Sequence, residues 1–300
     1  MEVIVTGAYG FIGSHFVNKL KELNPDCKVT IIDKLTYAAN IENIKCDVNF
    51  IHEDIWDIKY LPDCDYIVHF AAETHVDNSI KDGRPFVRTN VEGTFNLVEL
   101  AKNLKRLKKF IHVSTDEVYG DRLINRKMIL ATEESNLHGS SYYSSSKIGS
   151  DMIVEAAGKT FGLPYIITRT CNNFGENQHP EKMLPKIIQC VKNGETIPVY
   201  GDGEQVREWI HADDNSVAIY NLLMSDVTNE VFNIGSGYRI TNNQLIAKVG
   251  EVIGKTPKYK YVTDRLGHDK MYGLHCEKYI EKFGPIKTIE LEEWLKKILK

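Results

Sequence analysis

The run YSSSK at positions 143–147 contains a tyrosine and a lysine four residues apart. On an α-helix this spacing places both side chains on one face. A tyrosine with an ordinary pKa of about 10 is a poor base at neutral pH, but a nearby cation such as Lys147 favours the phenolate and lowers that pKa. Tyr143 could then remove the proton from an alcohol. Tyr142 is a competing candidate, although no lysine stands at the matching offset from it.

Two adjacent carboxylates, Asp116 and Glu117, follow Ser114 and Thr115 at the end of a short apolar run. Oxidation of an alcohol does not need such a pair, whereas an elimination does, because one group removes a carbon-bound proton and another protonates a leaving hydroxyl. An acidic surface turn or a helix cap would also explain an Asp-Glu pair. The position of the pair after a predicted strand favours the elimination, because parallel sheets bind ligands at their carboxyl ends.

A glycine pattern, GxxGxxG at Gly7, Gly10 and Gly13, separates the first predicted strand from the first predicted helix. Such glycines allow a tight turn, a close approach of the backbone to a pyrophosphate and close helix–strand packing, and the helix N-terminus attracts the phosphates. Asp33, at the end of the second predicted strand, either binds the ribose hydroxyls of NAD or merely ends that strand; a carboxylate here disfavours the 2′-phosphate of NADP. We interpret Lys34 as pointing to solvent.

The elements that must position these residues alternate between strand and helix. The predicted strands are Glu2–Thr6, Lys28–Asp33, Val48–Ile51, Tyr66–Phe70, Phe110–Val113 and Tyr165–Arg169, and the predicted helices are Phe11–Leu23, Pro85–Leu104 and Ser144–Phe161. In the second helix, one buried face is expected to comprise Val87, Val91, Phe95, Val98 and Ala101. The alternation predicts an α/β fold, a doubly wound parallel Rossmann sheet built from right-handed βαβ units.

Beyond about residue 170 the pattern is less regular and is rich in Asn, Gly and Pro loops. We expect residues 1–170 to form the NAD-binding domain with the catalytic residues. Residues 171–300 should form mainly a smaller C-terminal substrate-binding lobe, with some chain crossing back. The cleft between the two is the expected ligand site.

Composition excludes several classes of function. The net charge of −4 gives no reason to expect a nucleic-acid or membrane-surface partner. No apolar run approaches the roughly 20 residues of a membrane-spanning helix, and the first residues do not resemble a signal peptide. The six cysteines form no CxxC pair, which predicts reduced thiols and no metal site. We therefore expect a cytoplasmic protein.

Several stretches resemble one family, the dTDP-glucose 4,6-dehydratases, which are extended short-chain dehydrogenases. They are TGAYGFIGSH at 6–15, DKLTYAAN at 33–40, HFAAETHVDNSI at 69–80, STDEVYG at 114–120, YSSSK at 143–147, NNFGENQHPEKMLP at 172–185, VREWIHADD at 206–214 and DRLGHD at 264–269. The similarity spans essentially the whole chain in family order. The stretches DKLTYA, STDEVYG and PEKMLP are more specific than GxxGxxG or YxxxK.

The resemblance implies a role for each catalytic residue. Tyr143, assisted by Lys147, would be the base at O4, and Thr115 would hydrogen-bond the C4 hydroxyl. Glu117 would be the base at C5, and Asp116 the acid that drives out the C6 hydroxyl as water. Hydride would leave C4 and return to C6 within one turnover, so that no external reductant is needed.

The family pattern and the motifs also predict the binding residues. The predicted NAD contacts are Gly7, Gly10, Phe11, Ile12, Gly13, Asp33, Lys34, Leu35, Thr36, Asp54, Ile55, Phe70, Ala71, Ala72, Thr89, Tyr143, Lys147 and Asn173. Asp54 and Ile55 should meet the adenine, although Asp54 could equally be a helix cap. The predicted substrate contacts are Thr74, Thr115, Asn172, Lys182, Met183, Pro198, Tyr200, Arg207, Asn242, Arg265 and His268. Arg207 and Arg265 suit a pyrophosphate, because a guanidinium matches phosphate oxygens bidentately.

The predicted function is therefore NAD-dependent 4,6-dehydration of a nucleotide-activated hexose, with dTDP-glucose as the favoured substrate. A UDP-glucose or UDP-N-acetylglucosamine dehydratase remains an alternative. A nucleotide-sugar 4-epimerase on the same fold would not need Asp116 and Glu117, and a catalytically silent NAD-binding protein would not need Tyr143. The resemblance also implies a homodimer in which helices Pro85–Leu104 and Ser144–Phe161 form a four-helix bundle.

Overall fold

The first 170 residues alternate between strands and helices, as the sequence predicts. A computed structural model describes residues 1–125 and 127–299. The strands are β1 (Glu2–Thr6), β2 (Lys28–Asp33), β3 (Asn49–His52), β4 (Tyr66–His69), β5 (Lys109–Thr115), β6 (Leu123–Ile124), β7 (Lys127–Met128), β8 (Tyr165–Thr170), β9 (Asn172–Phe174), β10 (Thr196–Tyr200), β11 (Val206–His211), β12 (Glu230–Ile234), β13 (Arg239–Thr241) and β14 (Lys258–Val262). The helices are α1 (Phe11–Leu23), α2 (Val76–Lys81), α3 (Arg84–Phe86), α4 (Thr94–Ala101), α5 (Tyr142–Phe161), α6 (Met183–Asn193), α7 (Ala212–Met224), α8 (Asn242–Ile253), α9 (Glu277–Phe283) and α10 (Leu291–Leu299).

Within the described residues, seven strands form a parallel sheet in the order β12-β8-β5-β4-β1-β2-β3. The order runs outward from β1 in both directions, which is the doubly wound arrangement. Strands β1 and β4 lie side by side, although the chain leaves them toward opposite edges of the sheet. Dinucleotides bind at such a switch point, outside the carboxyl ends of the strands. The predicted α/β fold class is therefore confirmed.

Both faces of this sheet are covered, because successive residues of a strand point to opposite sides. Val3 and Val5 pack in one hydrophobic cluster with α1 and α7, while Ile4 packs in another with α4 and α5. Strands buried on both faces are continuously apolar rather than alternating, which explains the run EVIVT of β1.

The segment predicted as one helix, Pro85–Leu104, is not a regular α-helix. A π-helical stretch, Val87–Gly93, connects α3 to α4. Because a π-helix has hydrogen bonds from i to i+5, it rotates the side chains away from the face that an α-helical period predicts. The prediction of a buried Val87 and Phe95 is therefore wrong: they are 47% and 53% exposed. Thr89 and Asn90 are buried instead.

Helix α5 begins two residues earlier than predicted, and its capping explains why. Ser141 and Ser144 form a capping box, in which the Ser144 N–H donates to Ser141 Oγ and the Ser141 N–H donates to Ser144 Oγ. The helix ends at Gly162, whose φ of +72° is the left-handed conformation favoured after helix C-termini. Tyr143 and Lys147 consequently lie in the first turns of a well-anchored helix.

The chain after β8 forms smaller layers. Strands β13, β11 and β9 form one sheet, and β10 pairs in parallel with β14. Helices α6, α8 and α10 contribute to a separate hydrophobic cluster with these strands. By contrast, β12 joins the central sheet beside β8, and α7 packs against α1. None of the helices in the described ranges is both long enough and apolar enough to span a membrane.

Candidate active site

A cavity of about 310 Å³ opens at the carboxyl ends of the central strands. The glycine loop after β1 forms one wall, and its geometry requires glycine. Gly7 has a φ of +67°, and a Cβ on it would lie 2.6 Å from the backbone nitrogen of Ala71. A Cβ on Gly13 would lie 2.5 Å from the carbonyl oxygen of Gly7. The loop therefore presents bare backbone and the N-terminus of α1 to the cavity, which suits a pyrophosphate.

Asp33 at the end of β2 has the surroundings expected of a ribose ligand. The backbone N–H groups of Leu35 and Tyr9 donate to its two oxygens at 2.8 and 3.0 Å. Burial raises the pKa of Asp33, although these hydrogen bonds act in the opposite direction. Each carboxylate oxygen keeps a free lone pair, so hydroxyl donors from the cavity would stabilise the charged form.

The interpretation of Lys34 as a residue that points to solvent is wrong. Its Nζ lies 3.2 Å from Asp54 Oδ2 and 3.5 Å from Glu73 Oε1, and it donates to Thr89 Oγ1 at 3.3 Å. Two carboxylates from separate loops attract the ammonium inward. Lys34 therefore belongs to the cavity wall, and its charge is already compensated.

The cavity fits NAD in its residues as well as its position. The predicted NAD contacts that line it are Gly7, Gly10, Phe11, Ile12, Gly13, Asp33, Lys34, Thr36, Asp54, Ile55, Phe70, Ala71, Ala72, Thr89, Tyr143, Lys147 and Asn173. Leu35 does not line it: its φ is +53° and its side chain is 37% exposed. Leu35 instead supplies the backbone N–H that binds Asp33.

Sequence reasoning missed a second group of lining residues, Tyr37, Glu73, Gln178, His179 and Glu181. The Tyr37 hydroxyl donates to Glu181 Oε1 at 2.9 Å, although the two residues are 144 positions apart. Both residues lie in stretches that resemble the dehydratase family, and this resemblance was the sequence signal that could have identified them as lining residues. Their contact joins the loop after β2 to the loop before α6 across the cavity.

Thr115, Asp116 and Glu117 lie at the end of β5 and line the same cavity as Tyr143 and Lys147. Burial raises the pKa of Asp116 well above its ordinary value, and the charges of Glu117 and Glu208 add to this shift. The exposed-turn alternative therefore does not fit Asp116, which is 3% exposed. The local structure does include a cap, since the Glu117 N–H donates to Thr115 Oγ1 at 3.3 Å.

Glu117 differs from Asp116 in its electrostatic surroundings. Burial of its carboxyl raises its pKa, but the positive charges of Arg207, Arg265 and Lys182 oppose the shift. The Tyr272 hydroxyl lies 3.4 Å from Glu117 Oε2. Two adjacent carboxyls therefore have different environments, and such a difference separates an acid from a base.

Tyr143 and Lys147 share one face of α5, but the electrostatics of the pair differ from the prediction. Burial raises the pKa of Tyr143, and the charge of Glu117 raises it further; the expected lowering is therefore not found in the chain alone. Lys147 Nζ donates to the carbonyl of Val113 at 2.9 Å, and burial lowers the pKa of Lys147 to about 8. Tyr142 is 62% exposed and lies outside the cavity lining.

Among the predicted substrate residues, Thr74, Thr115, Asn172 and Lys182 line the cavity. Lys182 Nζ donates to the carbonyl of Thr74 at 3.0 Å. Arg207 is buried, donates to the carbonyl of Asp269 at 3.0 Å and lies 4.3 Å above the ring of Tyr272. Since Arg207 lowers the pKa of Glu117, its charge lies close to the cavity even though it is not part of the lining.

The remaining predicted substrate residues lie outside the cavity lining. Arg265 lies 3.6 Å from Asp77, and Tyr200 donates to Asp77 Oδ2 at 3.2 Å. His268 contacts Asp264 at 2.7 Å. The others are Pro198 on β10, Met183 at the start of α6, and Asn242 at the start of α8, which donates to Gln205.

Two further residues near the acid pair were missed. Glu208 is fully buried within β11, and its charge contributes to the raised pKa of Asp116. Tyr272 contacts both Glu117 and Asp269. Glu208 lies inside the family-like stretch VREWIHADD, whereas no sequence signal pointed to Tyr272. Residues 1–125 and 127–299 contain no group of three or more His, Cys, Asp or Glu side chains suited to a metal ion.

Comparison with known proteins gives consistent matches. Low-salt glycan biosynthesis protein Agl12 from Haloferax volcanii is 44% identical over 288 residues, covering 93% of this chain and 91% of the relative. A dTDP-glucose 4,6-dehydratase from Haemophilus influenzae is 38% identical, covering 100% of this chain and 97% of the relative. These relatives confirm the resemblance found in the sequence.

A solved structure agrees with them. DesIV, a dTDP-glucose 4,6-dehydratase from Streptomyces venezuelae with NAD and TYD bound, superposes with a TM-score of 0.94 at 40% identity. The match covers 100% of this chain and 96% of DesIV. The model of the NAD dependent epimerase/dehydratase family matches residues 3–235. This chain therefore belongs to the NAD dependent epimerase/dehydratase family.

Proposed function

We propose that this chain is a nucleotide-sugar 4,6-dehydratase that converts an activated hexose, foremost dTDP-glucose, to its 4-keto-6-deoxy form and water. The observation that carries the proposal is the placement of Asp116 and Glu117 beside Tyr143 and Lys147 in one cavity. The first pair suits an elimination, and the second suits the oxidation that precedes it.

NAD is the cofactor, and the residues that would hold it follow from the cavity. Gly7, Gly10 and Gly13 would bind the pyrophosphate, and Asp33 the adenosine ribose. When bound, NAD supplies reversible hydride transfer, so that an oxidation and a later reduction take place within one turnover. The remaining chemistry consists of proton movements, which the side chains of this chain perform.

Tyr143 takes the proton from the C4 hydroxyl, which Thr115 orients by a hydrogen bond. The nearby Lys147 ammonium stabilises the Tyr143 phenolate that accepts this proton. Once C4 is a ketone, the proton on C5 becomes acidic. Glu117 removes that proton, while Asp116 protonates the C6 hydroxyl as it leaves as water, and Glu117 later returns a proton to C5.

The electrostatics support this division of labour. A carboxyl whose pKa is raised well above the ordinary value stays protonated at higher pH, as the acid Asp116 must. The cations around Glu117 favour its ionised form, as a base requires. A general base acts best when its pKa lies near the working pH, and the raised pKa of Glu117 moves it in that direction.

The positions of Lys182, Arg207 and Arg265 support a substrate that is bound through a nucleoside diphosphate group. Their positive charges act together on Glu117, so they surround one region next to the acid pair. A guanidinium and an ammonium both match phosphate oxygens. The dTDP base is proposed from the relatives that are named dTDP-glucose 4,6-dehydratases; a UDP-sugar is the alternative.

A 4-epimerase is the second candidate, because the family name covers epimerases and dehydratases alike. Such an enzyme would use Tyr143 and Lys147 but has no need of two carboxyls in the cavity. In an epimerase, the buried Asp116, which has no ion-pair partner among the described residues, would destabilise the fold without serving the reaction. The acid pair therefore favours dehydration.

The test is to incubate the purified chain separately with dTDP-, UDP-, CDP- and GDP-hexoses and to weigh the products by mass spectrometry. We expect one substrate to lose one water without any added reductant, because hydride is returned within the turnover. An isomer of unchanged mass would support the epimerase. Accumulation of reduced cofactor in proportion to substrate, with no dehydrated product, would support a simple dehydrogenase.

We propose further that the chain forms a homodimer through a four-helix bundle, in which the helical segment Pro85–Leu104 and α5 pack against their counterparts. Val87, Phe95 and Met152 support this proposal, because they are 47%, 53% and 41% exposed on adjacent segments. Apolar side chains grouped at one surface favour association.

Sedimentation at micromolar concentration should therefore detect a dimer, and Phe95→Glu combined with Met152→Glu should give a folded monomer. Tyr259→Glu serves as the control, because Tyr259 is equally exposed, at 52%, but lies on β14. A monomeric parent chain, or a double variant that remains dimeric, would contradict the bundle.

The division into an NAD-binding domain, residues 1–170, and a mainly substrate-binding lobe, residues 171–300, is part of the same proposal. We propose a cytoplasmic location as well. The six unpaired cysteines support this location, because reducing compartments keep thiols free.

A further inference from the structure

One buried carboxylate has no part in the proton movements above. Asp151 lies on α5, four residues after Lys147, and is fully buried. Its Oδ2 accepts a hydrogen bond from Arg169 Nε at 3.0 Å, and its Oδ1 lies 3.4 Å from His112 Nε2. A buried charge destabilises the fold unless other groups compensate it. The burial of a carboxylate so close to Lys147 therefore requires a structural or functional explanation.

The same histidine nitrogen also contacts the catalytic lysine. His112 Nε2 lies 3.5 Å from Lys147 Nζ, 3.4 Å from Asp151 Oδ1 and 3.0 Å from Ser150 Oγ. Lys147 and Asp151 are therefore on one face of α5, separated by the edge of one imidazole. The network that contains them connects β5, α5 and β8.

The charges facing Asp151 can be identified element by element. From β5, His112 is neutral, because burial lowers its pKa to about 4. Behind it on β4, His69 is also neutral, because burial places its pKa well below the ordinary value. From β8, Arg169 contributes a guanidinium, whose Nη1 also donates to the oxygen of the uncharged Tyr119 hydroxyl at 3.1 Å. From α5 itself comes Lys147.

Asp151 thus faces two buried cations, and its ion pair with Arg169 alone does not explain its position. Burial lowers the pKa of Lys147, and the charge of Asp151 is what opposes that shift. The carbonyl of Val113 accepts from the ammonium but carries no full charge. Asp151 is thus the charged group whose effect raises the pKa of Lys147 against its burial.

We propose that Asp151 is a positioning residue for the reaction, which keeps Lys147 protonated and aimed at the active-site end of α5. It acts through Lys147 and not on the substrate. The inference rests on the proposed function for its effect on turnover, but the charge state of Lys147 can be measured without any substrate.

The expected pH dependence follows from the sign of the effect. Lys147 must be protonated to stabilise the Tyr143 phenolate, so activity is present below the pKa of Lys147 and is lost as pH rises through it. Removing a nearby opposite charge typically shifts a pKa by about one to three units. In Asp151→Asn the pKa of Lys147 should fall by this amount. The alkaline limb of the pH profile of kcat should move to lower pH by the same number of units as the Lys147 pKa, and KM should change little.

The direct measurement uses the full chain with excess NAD, grown with lysine labelled at Cε by a carbon isotope. The Lys147 resonance is assigned by its absence from Lys147→Arg and is followed through a pH titration. Asp151→Glu should restore the parent titration in large part, because it keeps the charge. Glu155→Gln is the matched control: it removes a carboxylate four residues further along α5, at a partly exposed position, and should change nothing.

Asp151→Asn leaves Arg169 buried without its ion-pair partner, which destabilises a fold strongly. The double variant Asp151→Asn with Arg169→Met removes both charges and avoids this problem. If Asp151 acts on Lys147, the folded double variant shows a lower lysine pKa than Arg169→Met alone, because these two variants differ only at Asp151. A parent-like titration of Lys147 in folded Asp151→Asn, or equal titrations in Arg169→Met and the double variant, would overturn the proposal. If no hexose is dehydrated but the titration shifts, the proposed function fails while the role of Asp151 stands.

Discussion

Glu117→Gln should stop the loss of water while C4 oxidation continues, with turnover falling by about 10²–10⁴, the usual effect of removing one general base. Glutamine keeps the shape of the side chain but cannot accept the C5 proton. The carboxyl lies in the same cavity as Tyr143, with the charges of Arg207, Arg265 and Lys182 around it. The measurements are mass spectrometry, which should detect little product that has lost water, and the uptake of solvent deuterium at C5, which should fall.

Asp116→Asn should behave differently, because the proposed role of the Asp116 carboxyl is to donate a proton to the departing hydroxyl. Water loss should slow by a similar factor, while deuterium exchange at C5 persists. Glu53→Gln is a suitable control, since Glu53 also lines the cavity but lies beside Asp54, the predicted adenine contact. If Glu117→Gln kept near-normal turnover, the pair would have no role in an elimination, and the epimerase would become the preferred function.

Tyr143→Phe should abolish the reaction at its first step. Phenylalanine retains the packing against Phe86, whose ring centroid is 6.3 Å away, but has no oxygen to receive the C4 proton. Water is a much weaker base than a phenolate, so it is a poor substitute for Tyr143 in this cavity. In a single turnover we expect neither absorbance of the reduced cofactor nor deuterium uptake at C5, whereas Glu117→Gln should still reduce the cofactor.

The neighbouring tyrosine provides the control. Tyr142→Phe removes a hydroxyl that is one residue away, on a side chain that is 62% exposed, and should leave the single turnover intact. Equal losses in the two variants would mean that the damage lies in the start of α5 rather than in a proton transfer. Reduction of the cofactor by Tyr143→Phe at the parent rate would exclude Tyr143 as the base at O4.

The sequence by itself determined the features that depend on local spacing. The positions of Gly7, Gly10 and Gly13 and the four-residue offset of Tyr143 and Lys147 fix local geometry through turn sterics and helical periodicity. The alternation of elements then places Asp33 and Asp116 at the carboxyl edge of the sheet, because every parallel strand ends there. These inferences need only neighbouring residues, and the structure places all of these residues at one cavity.

Other features were decided only by the tertiary structure. Lys34 turns inward because Asp54 and Glu73 reach it from two other loops. The π-helical stretch changes which residues of 87–93 are buried, and hydrophobic periodicity assumes a regular helix. A pattern of residue types also contains no information on which distant groups share a desolvated site.

The electrostatics of the site illustrate the same division most clearly. The raised pKa of Tyr143 and the contacts among Lys147, His112 and Asp151 depend on the packing of α5 against β5 and β8. Burial alone can shift a pKa by several units, and it is a property of the folded chain, not of a motif. The sequence therefore identified the groups to which we assign the chemistry, whereas the fold sets the charge that each of them carries.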